Sequence, residues 1–316
     1  MSTLYRVINS APQSDKDVKM ITTPDGQEKE TVWMQTSFCG ECIRKAWENI
    51  TSDNQKDDME MITDYWTKEF PNLAEKTRSI IVSSFTGFAD VFLRGTLKEL
   101  FATTTNIFPE ITHEGGLILI DLPVQDYNKI GQYAQVIFKY VWQKATERRD
   151  KNKELIPVFL WVDEAQYFIN SHDVRFQSVS RASKASTIYL TQNLPTYINT
   201  LGENLTYSLL GNLQTKIFHQ NSDPKTNQYA SEMIGRVYQD RFSTNLSNSN
   251  KDENGGSTGS NFSQEVQFDI LPVEFTKLKK GGVESGFVVE AVVYQGGRIW
   301  QASQKSYLVP EFYQKN

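Results

Sequence analysis

The clearest hydrophobic pattern in the chain is the apolar run from Val158 to Val162, which is followed directly by Asp163 and Glu164. Five consecutive apolar residues, most of which favour β structure, predict a strand that is buried on both faces of a parallel sheet. Such a strand delivers the residues that follow it to the carboxyl edge of the sheet. The pattern therefore places two adjacent carboxylates at the edge where open α/β sheets bind their ligands.

Short apolar runs predict three further strands, at 117–123, 187–191 and 215–219. Apolar residues recur at helical spacing between Ile130 and Ala145. The first of these strands, this helix and the strand at Val158 therefore form a right-handed βαβ crossover. Polar residues follow the other two strands, among them Gln192. We interpret residues 111–316 as one α/β domain.

Three signals describe the rest of this domain. Residues 225–234 follow Ser222-Asp223-Pro224, which predicts a helix capped by Ser222 or Asp223. Residues 243–264 are rich in Ser, Asn and Gly and have little to bury, which predicts a flexible loop. The strand-favouring residues 287–294 and 299–301 flank a Gly-Gly turn, and they predict a C-terminal β-hairpin.

The first part of the chain has a helical pattern instead. From Trp33 to about Phe108, apolar residues recur at three- and four-residue spacing, so residues 1–110 are predicted to form a mostly helical subdomain. Its apolar stripe is expected to be core. The first 30 residues are polar, and we expect them to be weakly structured. This part shows no catalytic signature.

The charge and hydropathy of the chain bear on whether it binds DNA and whether it enters a membrane. The chain has 33 basic and 38 acidic residues, a formal net charge of −5, so it has no global basic field that would attract DNA. Any nucleic-acid contact would come from local patches or from an assembled ring. No run approaches the ~20 apolar residues that span a bilayer, and the N-terminus lacks the apolar core of a signal peptide. As it stands, the chain is expected to be cytosolic.

Cys39 and Cys42 form a Cys-x-x-Cys pair. A structural zinc site needs four ligands, and the three His residues of the chain are distant in sequence. A redox pair would lie in a βαβ context, which is missing here. We interpret the two cysteines as reduced thiols that pack near a helix start.

The two carboxylates suggest nucleotide chemistry. In nucleotide-driven motors, a carboxylate at this edge holds the Mg²⁺ of the nucleotide and a neighbouring Glu orients the attacking water. Asp163 and Glu164 suit these roles, and Gln192 is placed to sense a γ-phosphate or a water. The alternative is that the acids merely cap the next helix. Arg181, just before the strand that ends near Gln192, is a candidate arginine finger, and a surface salt bridge is the alternative for it.

The sequence lacks the other half of a nucleotide site. No segment fits the phosphate-binding pattern Gly-x-x-x-x-Gly-Lys-Ser/Thr. Without the backbone amides and the lysine of such a loop, Asp163 and Glu164 have no triphosphate to act on. The histidines His113, His172 and His219 are scattered, and each is interpreted as structural.

Several segments nevertheless resemble one family, in that family's order. They are 4–12, 76–80, 157–166 (PVFLWVDEAQ), 175–181, 189–195 (YLTQNLP) and 210–218. Through them, most of the chain resembles the conjugative coupling proteins of type IV secretion systems, the TraG/TraD family of DNA-transfer ATPases. The resemblance implies an α/β fold: the parallel sheet of a RecA-like P-loop NTPase, without its first strand and phosphate-binding loop, and an all-helical subdomain.

The resemblance also implies roles and partners. Asp163 and Glu164 correspond to the Walker B acids, and Asp163 is the one that would contact Mg²⁺. Gln192 corresponds to the polar sensor, and Arg181 corresponds to a candidate arginine finger. In the family, a membrane anchor and the Walker A loop precede the region that begins here. The chain is therefore expected to be a C-terminal half that binds no ATP or Mg²⁺ tightly by itself.

The family works as a homo-hexamer on the cytoplasmic side of the bacterial inner membrane. Its partners are single-stranded DNA in the relaxosome, a relaxosome accessory protein recognised around the Walker B region, and components of the secretion channel. The resemblance implies the same partners here. Two alternatives stay open: a non-catalytic adaptor derived from the motor, and another DNA pump of the FtsK/HerA type.

Overall fold

The structure, a computed structural model, describes residues 2–18, 21–22, 28–29, 31–248 and 256–314. It divides into two compact units, Met1–Phe108 and Pro109–Asn316. Each unit is described by itself below.

The described part of the first unit is helical apart from two short paired strands. Its helices α1 to α8 are Ser2–Asn9, Asp15–Val18, Val32–Thr36, Phe38–Glu48, Asp53–Asp64, Phe70–Asn72, Glu75–Val91 and Gly95–Phe101. A π-helical turn, Tyr65–Glu69, joins α5 to α6, and the strands are β1 (Ile21–Thr22) and β2 (Glu28–Lys29). The predicted helical pattern is thus present. Its apolar stripe is only partly core, since Ile62 and Ile80 are 46% and 55% exposed.

The described N-terminal residues are more ordered than predicted, whereas residues 1, 19–20, 23–27 and 30 of that segment lie outside the described residues. Helix α1 occupies a segment that was expected to be weakly structured. Contacts with distant residues hold it: Trp33 Nε1 donates to Ser10 O at 2.9 Å, Cys39 N donates to Ser10 Oγ at 2.9 Å, and the Arg6 guanidinium lies 3.6 Å from the centre of the Phe38 ring. These partners lie 23 to 32 residues away, so the local sequence gives no sign of them.

Both cysteines are free thiols in helix α4. Cys39 is buried beside Ile43 and Met59. Burial and the neighbouring Cys42 raise the pKa of Cys39 to about 12. Because the thiolate is the reactive form, this shift lowers the reactivity of Cys39 at neutral pH.

The second unit mixes helices and strands. Its helices α9 to α14 are Val124–Glu147, Ser171–Val179, Leu194–Leu201, Glu203–Asn212, Pro224–Ile234 and Glu274–Lys277. Its strands β3 to β10 are Val158–Val162, Ala185–Tyr189, Thr215–His219, Arg236–Asn248, Gly256–Phe268, Val288–Gln295, Tyr307–Leu308 and Glu311–Tyr313. Short 3₁₀ turns are Pro109–Glu114, Ala165–Tyr167, Ser180–Ser183 and Val283–Ser285. Asp223 caps α13 by accepting the Thr226 N–H at 2.7 Å, which selects one of the two predicted caps.

Strands β3 and β4 form the parallel part of the sheet, and among the described residues it has only these two strands. In β3, Val158 and Val162 are buried, whereas Phe159 and Trp161 are 59% and 68% exposed. The prediction of burial on both faces is therefore wrong for one face. The buried face packs on helices α9 and α10, for example through Phe176 against Val158.

Strand β5 forms where it was predicted but joins another sheet. It pairs antiparallel with β8, from Thr215↔Gln295 to His219↔Ala291. The predicted C-terminal hairpin is wrong, because β8 pairs with β5, β9 and β10, and residues 299–301 form no strand. The residues of β5, the five-residue partner of β8, lie 72 to 80 positions earlier in the chain, and the local hairpin signal could not reveal them.

Residues 117–123 also differ from the prediction. They form no strand in the structure, and Leu117 and Leu119 are 94% and 87% exposed. An apolar run becomes a strand only where another strand supplies hydrogen bonds, and no described strand pairs with this run.

The segment predicted as a flexible loop, 243–264, lies within a two-stranded antiparallel ribbon. Strands β6 and β7 pair from Arg236↔Phe268 to Asn248↔Gly256. Residues 249–255 of the predicted loop lie outside the described residues. Gly235, with φ of 108°, makes the turn from helix α13 into β6.

Among the described residues, no single helix has the length and apolar composition of a membrane span. The pair α7 and α8 passes that test only when taken together, and it is bent by 93°.

Candidate functional site

The two acids lie in a turn that follows β3 and is fixed to the end of β4. Leu190 N donates to Val162 O at 2.9 Å, and Ala165 N donates to Leu190 O at 2.8 Å. These bonds continue the strand pairing past both strands. Asp163 and Glu164 therefore lie at the carboxyl edge of the parallel pair, where the sequence pattern predicted them.

Asp163 is exposed and uses one carboxylate oxygen inside the turn. Its Oδ1 accepts the N–H of Glu164 at 2.9 Å. Its Oδ2 accepts no hydrogen bond from any described residue. One oxygen of Asp163 is thus left at the sheet edge to meet a cation or a water.

Glu164 has a left-handed backbone, with φ of 46° and ψ of 47°. For a residue other than glycine this conformation costs on the order of 1 to 3 kcal/mol, and the surrounding structure must hold it. The bond from Ala165 N to Leu190 O does so from the next residue. The turn thereby directs the Glu164 carboxylate sideways, toward the residues that follow β4.

Two glutamine amides hold that carboxylate. Gln192 Nε2, predicted to act at this edge, lies 3.2 and 3.4 Å from the two Glu164 oxygens. Gln166 Nε2 donates to Glu164 Oε2. The structure therefore brings Glu164 and Gln192 together, as their positions after neighbouring parallel strands implied.

Gln166 is the residue that sequence reasoning missed. It is 8% exposed, and its Oε1 accepts the Thr191 hydroxyl at 2.8 Å, so its NH₂ group must face Glu164. The Thr200 hydroxyl also donates to its backbone carbonyl at 3.1 Å. The only sequence signal was its position two residues after the acid, which does not show which way the side chain points.

This arrangement predicts a difference between the two amides. The NH₂ protons of Gln166 should exchange with water more slowly than those of exposed Gln192, because Gln166 is buried and bonded at both ends. Thr191→Val removes the donor that orients Gln166 and should speed its exchange. Side-chain amide NMR measures both rates, with exposed Thr276→Val as a control that should change neither. Equal rates in the wild-type chain would contradict the arrangement.

The end of β5 also reaches this edge. Asn221 Nδ2 donates to Gln192 O at 2.7 Å, and Leu194 N donates to the Thr226 hydroxyl at 2.9 Å. The polar residues that follow three strands thus converge. No described ladder joins β4 to β5 themselves.

Arg181 lies elsewhere in the unit. It is exposed in the 3₁₀ turn before β4, at the amino edge of the parallel pair. Because β4 has five residues that each rise about 3.3 Å, the two edges are roughly 15 Å apart. The chain therefore does not bring its own Arg181 to its own acids. Arg181 also forms no ion pair with a described residue, so the alternative of a surface salt bridge is not seen there.

A buried ion pair lies next to the acid turn and contacts it through Phe168. Lys139 of α9 and Asp173 of α10 are 5% and 0% exposed, and they form a direct salt bridge. Lys139 Nζ also donates to Phe168 O at 2.7 Å, at the end of the acid turn. Burial lowers the pKa of Lys139, and the Asp173 carboxylate opposes that shift.

The Asp173 carboxylate is fully bonded. Besides Lys139, it accepts from Gln143 Nε2 at 2.7 Å, from the Tyr189 hydroxyl at 2.8 Å and from Asn170 N at 2.8 Å. Burial raises the pKa of Tyr189 far above its usual value. The network joins α9, α10 and β4, and through Phe168 O it also reaches the segment that follows the two acids.

The free carboxylate oxygen of Asp163 fits a magnesium ion whose other ligands come from elsewhere. No cluster of three or more metal-binding side chains occurs among the described residues. Mg²⁺ in phosphoryl-transfer sites is held by one or two carboxylates together with phosphates and waters. Asp163, with one unbonded oxygen, suits that mode, and a protein-only metal cage is absent from the described part.

Residues 157–279 match the family described as the TraM recognition site of TraD and TraG. This stretch contains the acid turn, Gln192 and the β6–β7 ribbon. No curated protein matched the sequence.

Solved structures share the fold. The unbound bacterial conjugative coupling protein TrwBdeltaN70 superposes with a TM-score of 0.52 at 13% identity, over 86% of this chain and 57% of that one. The plasmid coupling protein TrwB with the GTP analogue GDPNP gives 0.54 at 13%, over 84% and 57%. TrwB with ADP and Mg²⁺ gives 0.50 at 14%, over 94% and 65%.

The chain thus spans less than two thirds of the length of these coupling proteins. The mixed α/β architecture is the part of the predicted fold that they confirm. Together, the matched recognition region and the shared fold confirm the predicted resemblance of this chain to the TraG/TraD family of conjugative coupling proteins.

Proposed function

We propose that this chain is part of a conjugative DNA-transfer motor and supplies the acid side of its ATP site. The observation that carries the proposal is the convergence of Asp163, Glu164 and Gln192 at the carboxyl edge of β3 and β4, inside the matched region. The TrwB structures with GDPNP and with ADP and Mg²⁺ support a nucleotide ligand.

Each residue has a distinct proposed role. Asp163 would hold the magnesium ion directly or through a water, since its Oδ2 is free of other described partners. Glu164 would orient the attacking water, and Gln192 would sense the γ-phosphate. When bound, Mg²⁺ would neutralise charge on the phosphates. Gln166 keeps the Glu164 carboxylate in place at the edge.

The phosphate cradle has to come from residues that this sequence does not contain. The edges of β4 and β5 that pair with no described strand leave a place for the strand that would carry this cradle. β4 and β5 are tied at their carboxyl ends but share no ladder, so a further strand between them would pair both edges. In a RecA-like domain the first strand carries that cradle, as the family resemblance implies.

The proposal predicts that purified residues 1–316 hydrolyse no ATP and bind Mg-ATP weakly, because one wall of the site is missing. Phosphate release and calorimetric titration measure the two properties. Robust turnover that Glu164→Gln abolishes would overturn this expectation and would reveal a cradle of another kind. A complete motor that contains this chain should hydrolyse ATP.

Further partners belong to the same proposal. We propose that the motor acts at the cytoplasmic face of the inner membrane, contacts single-stranded DNA and secretion-channel components, and binds a relaxosome accessory protein. The description of the matched family supports the last partner. The position of Arg181 at the opposite edge suits a finger only toward a neighbouring subunit, as in a hexamer.

One observation favours a second function, a non-catalytic adaptor. The matched family is described by recognition of a protein and not by catalysis. An adaptor would tolerate loss of both acids. DNA transfer by donor cells that carry the Asp163→Ala, Glu164→Ala variant separates the two functions: wild-type transfer favours the adaptor, and lost transfer favours the motor.

A further inference from the structure

The β6–β7 ribbon has one aromatic face. Side chains alternate across a strand, so the residues paired as Tyr238↔Val266 and Phe242↔Phe262 lie on the same face. The rings of Phe242 and Phe262 are 5.2 Å apart. Nearer the base of the ribbon, this face continues with the Arg236 guanidinium, 4.7 Å from the centre of the Phe268 ring.

These aromatic and apolar side chains are open to solvent. Phe242 is 77% exposed, Tyr238 74%, Phe262 55% and Val266 50%. The opposite face carries polar side chains, including the ion pair of Arg241 with Glu265 at 2.9 Å. Asp240 and Gln264 lie on the aromatic face between its two apolar pairs, and Gln264 Nε2 donates to Asp240 Oδ1 at 3.0 Å. Exposed aromatic side chains on both sides of one polar pair are typical of a protein-binding surface.

The charge of the ribbon argues against nucleic acid. Residues 236–268 contain three basic and four acidic side chains, a formal charge of −1; they are Arg236, Arg241, Lys251, Asp240, Asp252, Glu253 and Glu265. Binding of nucleic acid depends on an excess of basic groups near the phosphates. A nearly neutral, aromatic surface suits an apolar protein surface instead.

The ribbon also has little support of its own. An isolated two-stranded ribbon is only marginally stable in water, and it gains stability when its apolar face is covered. The recognition match at 157–279 contains the whole ribbon. The segment that matches a protein-recognition family therefore also contains the exposed aromatic face of the ribbon.

We propose that the aromatic face of residues 236–243 and 262–268, centred on Phe242 and Phe262, is the docking surface for the relaxosome accessory protein. The partner would present a mostly apolar surface with a polar group opposite Asp240 and Gln264. This inference rests on the proposed function, since it places that function's protein partner on one named surface.

The test measures binding of the full chain to the accessory protein encoded by the same conjugative system. The double variant Phe242→Ser, Phe262→Ser should bind at least tenfold more weakly, because buried aromatic anchors dominate such interfaces. The matched control, Arg241→Ser with Glu265→Ser, changes the opposite face without changing net charge and should bind like the wild type. Raising NaCl from about 50 to about 300 mM should change the Kd less than about threefold, since few charges take part.

A second measurement uses only the wild-type chain, so it does not depend on whether the variant folds. Hydrogen–deuterium exchange should slow in residues 236–243 and 262–268 when the accessory protein is added. No change there, or equal affinity of both double variants, would overturn the docking surface while the proposed function stands.

Other outcomes decide against the proposal in different ways. If the wild-type chain does not bind the accessory protein at all, the partner named in the proposed function is lost and the docking surface with it. Binding of a single-stranded oligonucleotide that depends on Phe242 and Phe262 would assign this face to nucleic acid. Self-association of the chain that the same variant abolishes would assign it to a second copy.

Discussion

Glu164→Gln in donor cells is expected to lower DNA transfer by about 10²- to 10⁴-fold, the range typical for loss of a residue that activates a nucleophile. The substitution removes the charge that would orient the water. It also puts a third NH₂ group where those of Gln166 and Gln192 now both donate to the carboxylate, so donors face a donor. Counts of transconjugants per donor measure the effect.

Glu154→Gln is the matched control for this experiment. Glu154 is exposed in the connection that leads into β3, and its substitution makes the same chemical change outside the site. Transfer by this control should equal that of the wild type. Equal transfer by Glu164→Gln and Glu154→Gln would remove Glu164 from the mechanism.

Asp173→Ala is expected to have the largest effect on stability. Removing one partner of a buried ion pair costs about 3 to 5 kcal/mol, because the other charge stays buried without compensation. Here Lys139 would keep only Phe168 O, and Gln143 and Tyr189 would lose an acceptor. Amide exchange of β3 residues should quicken roughly 10²- to 10⁴-fold, since about 1.4 kcal/mol corresponds to a factor of ten.

Two comparisons make the Asp173 experiment specific. Glu274→Ala breaks an exposed pair with Lys277, 2.7 Å apart, and should cost less than about 1 kcal/mol. Lys139→Met combined with Asp173→Leu removes both charges, and it should recover part of the loss. The recovery should be incomplete, because Gln143 and Tyr189 stay without their acceptor. A loss under about 1 kcal/mol in Asp173→Ala would show that the buried pair contributes little to stability.

Much of the candidate site was predictable because its signals are local. A short apolar run followed by Asp163 and Glu164 marks a strand and its carboxyl edge within seven residues. The position of Gln192 after the next parallel strand then fixes its meeting with Glu164, since parallel neighbours end at the same edge. The same reasoning does not reach Gln166, whose direction depends on a hydroxyl 25 residues away.

The errors share a cause, which is that strands need partners. Residues 117–123 have the composition of a strand, but no described strand pairs with them. The hairpin predicted after β8 gave way to pairing with β5, and a polar segment predicted as a loop became the ribbon. In each case the decisive hydrogen bonds come from other segments, so composition within a window cannot decide the outcome.

The sequence by itself determined the acid strand, its polar neighbour after β4, the capped helix α13 and the resemblance to coupling proteins. Each of these rests on residues close together in the chain or on motifs in a fixed order. Only the tertiary structure decided that Gln166 holds Glu164, that Lys139 and Asp173 pair next to the acid turn, and that Arg181 lies at the far edge. The physical reason is that burial, pairing and charge compensation arise between residues tens of positions apart, and those contacts exist only after the chain has folded.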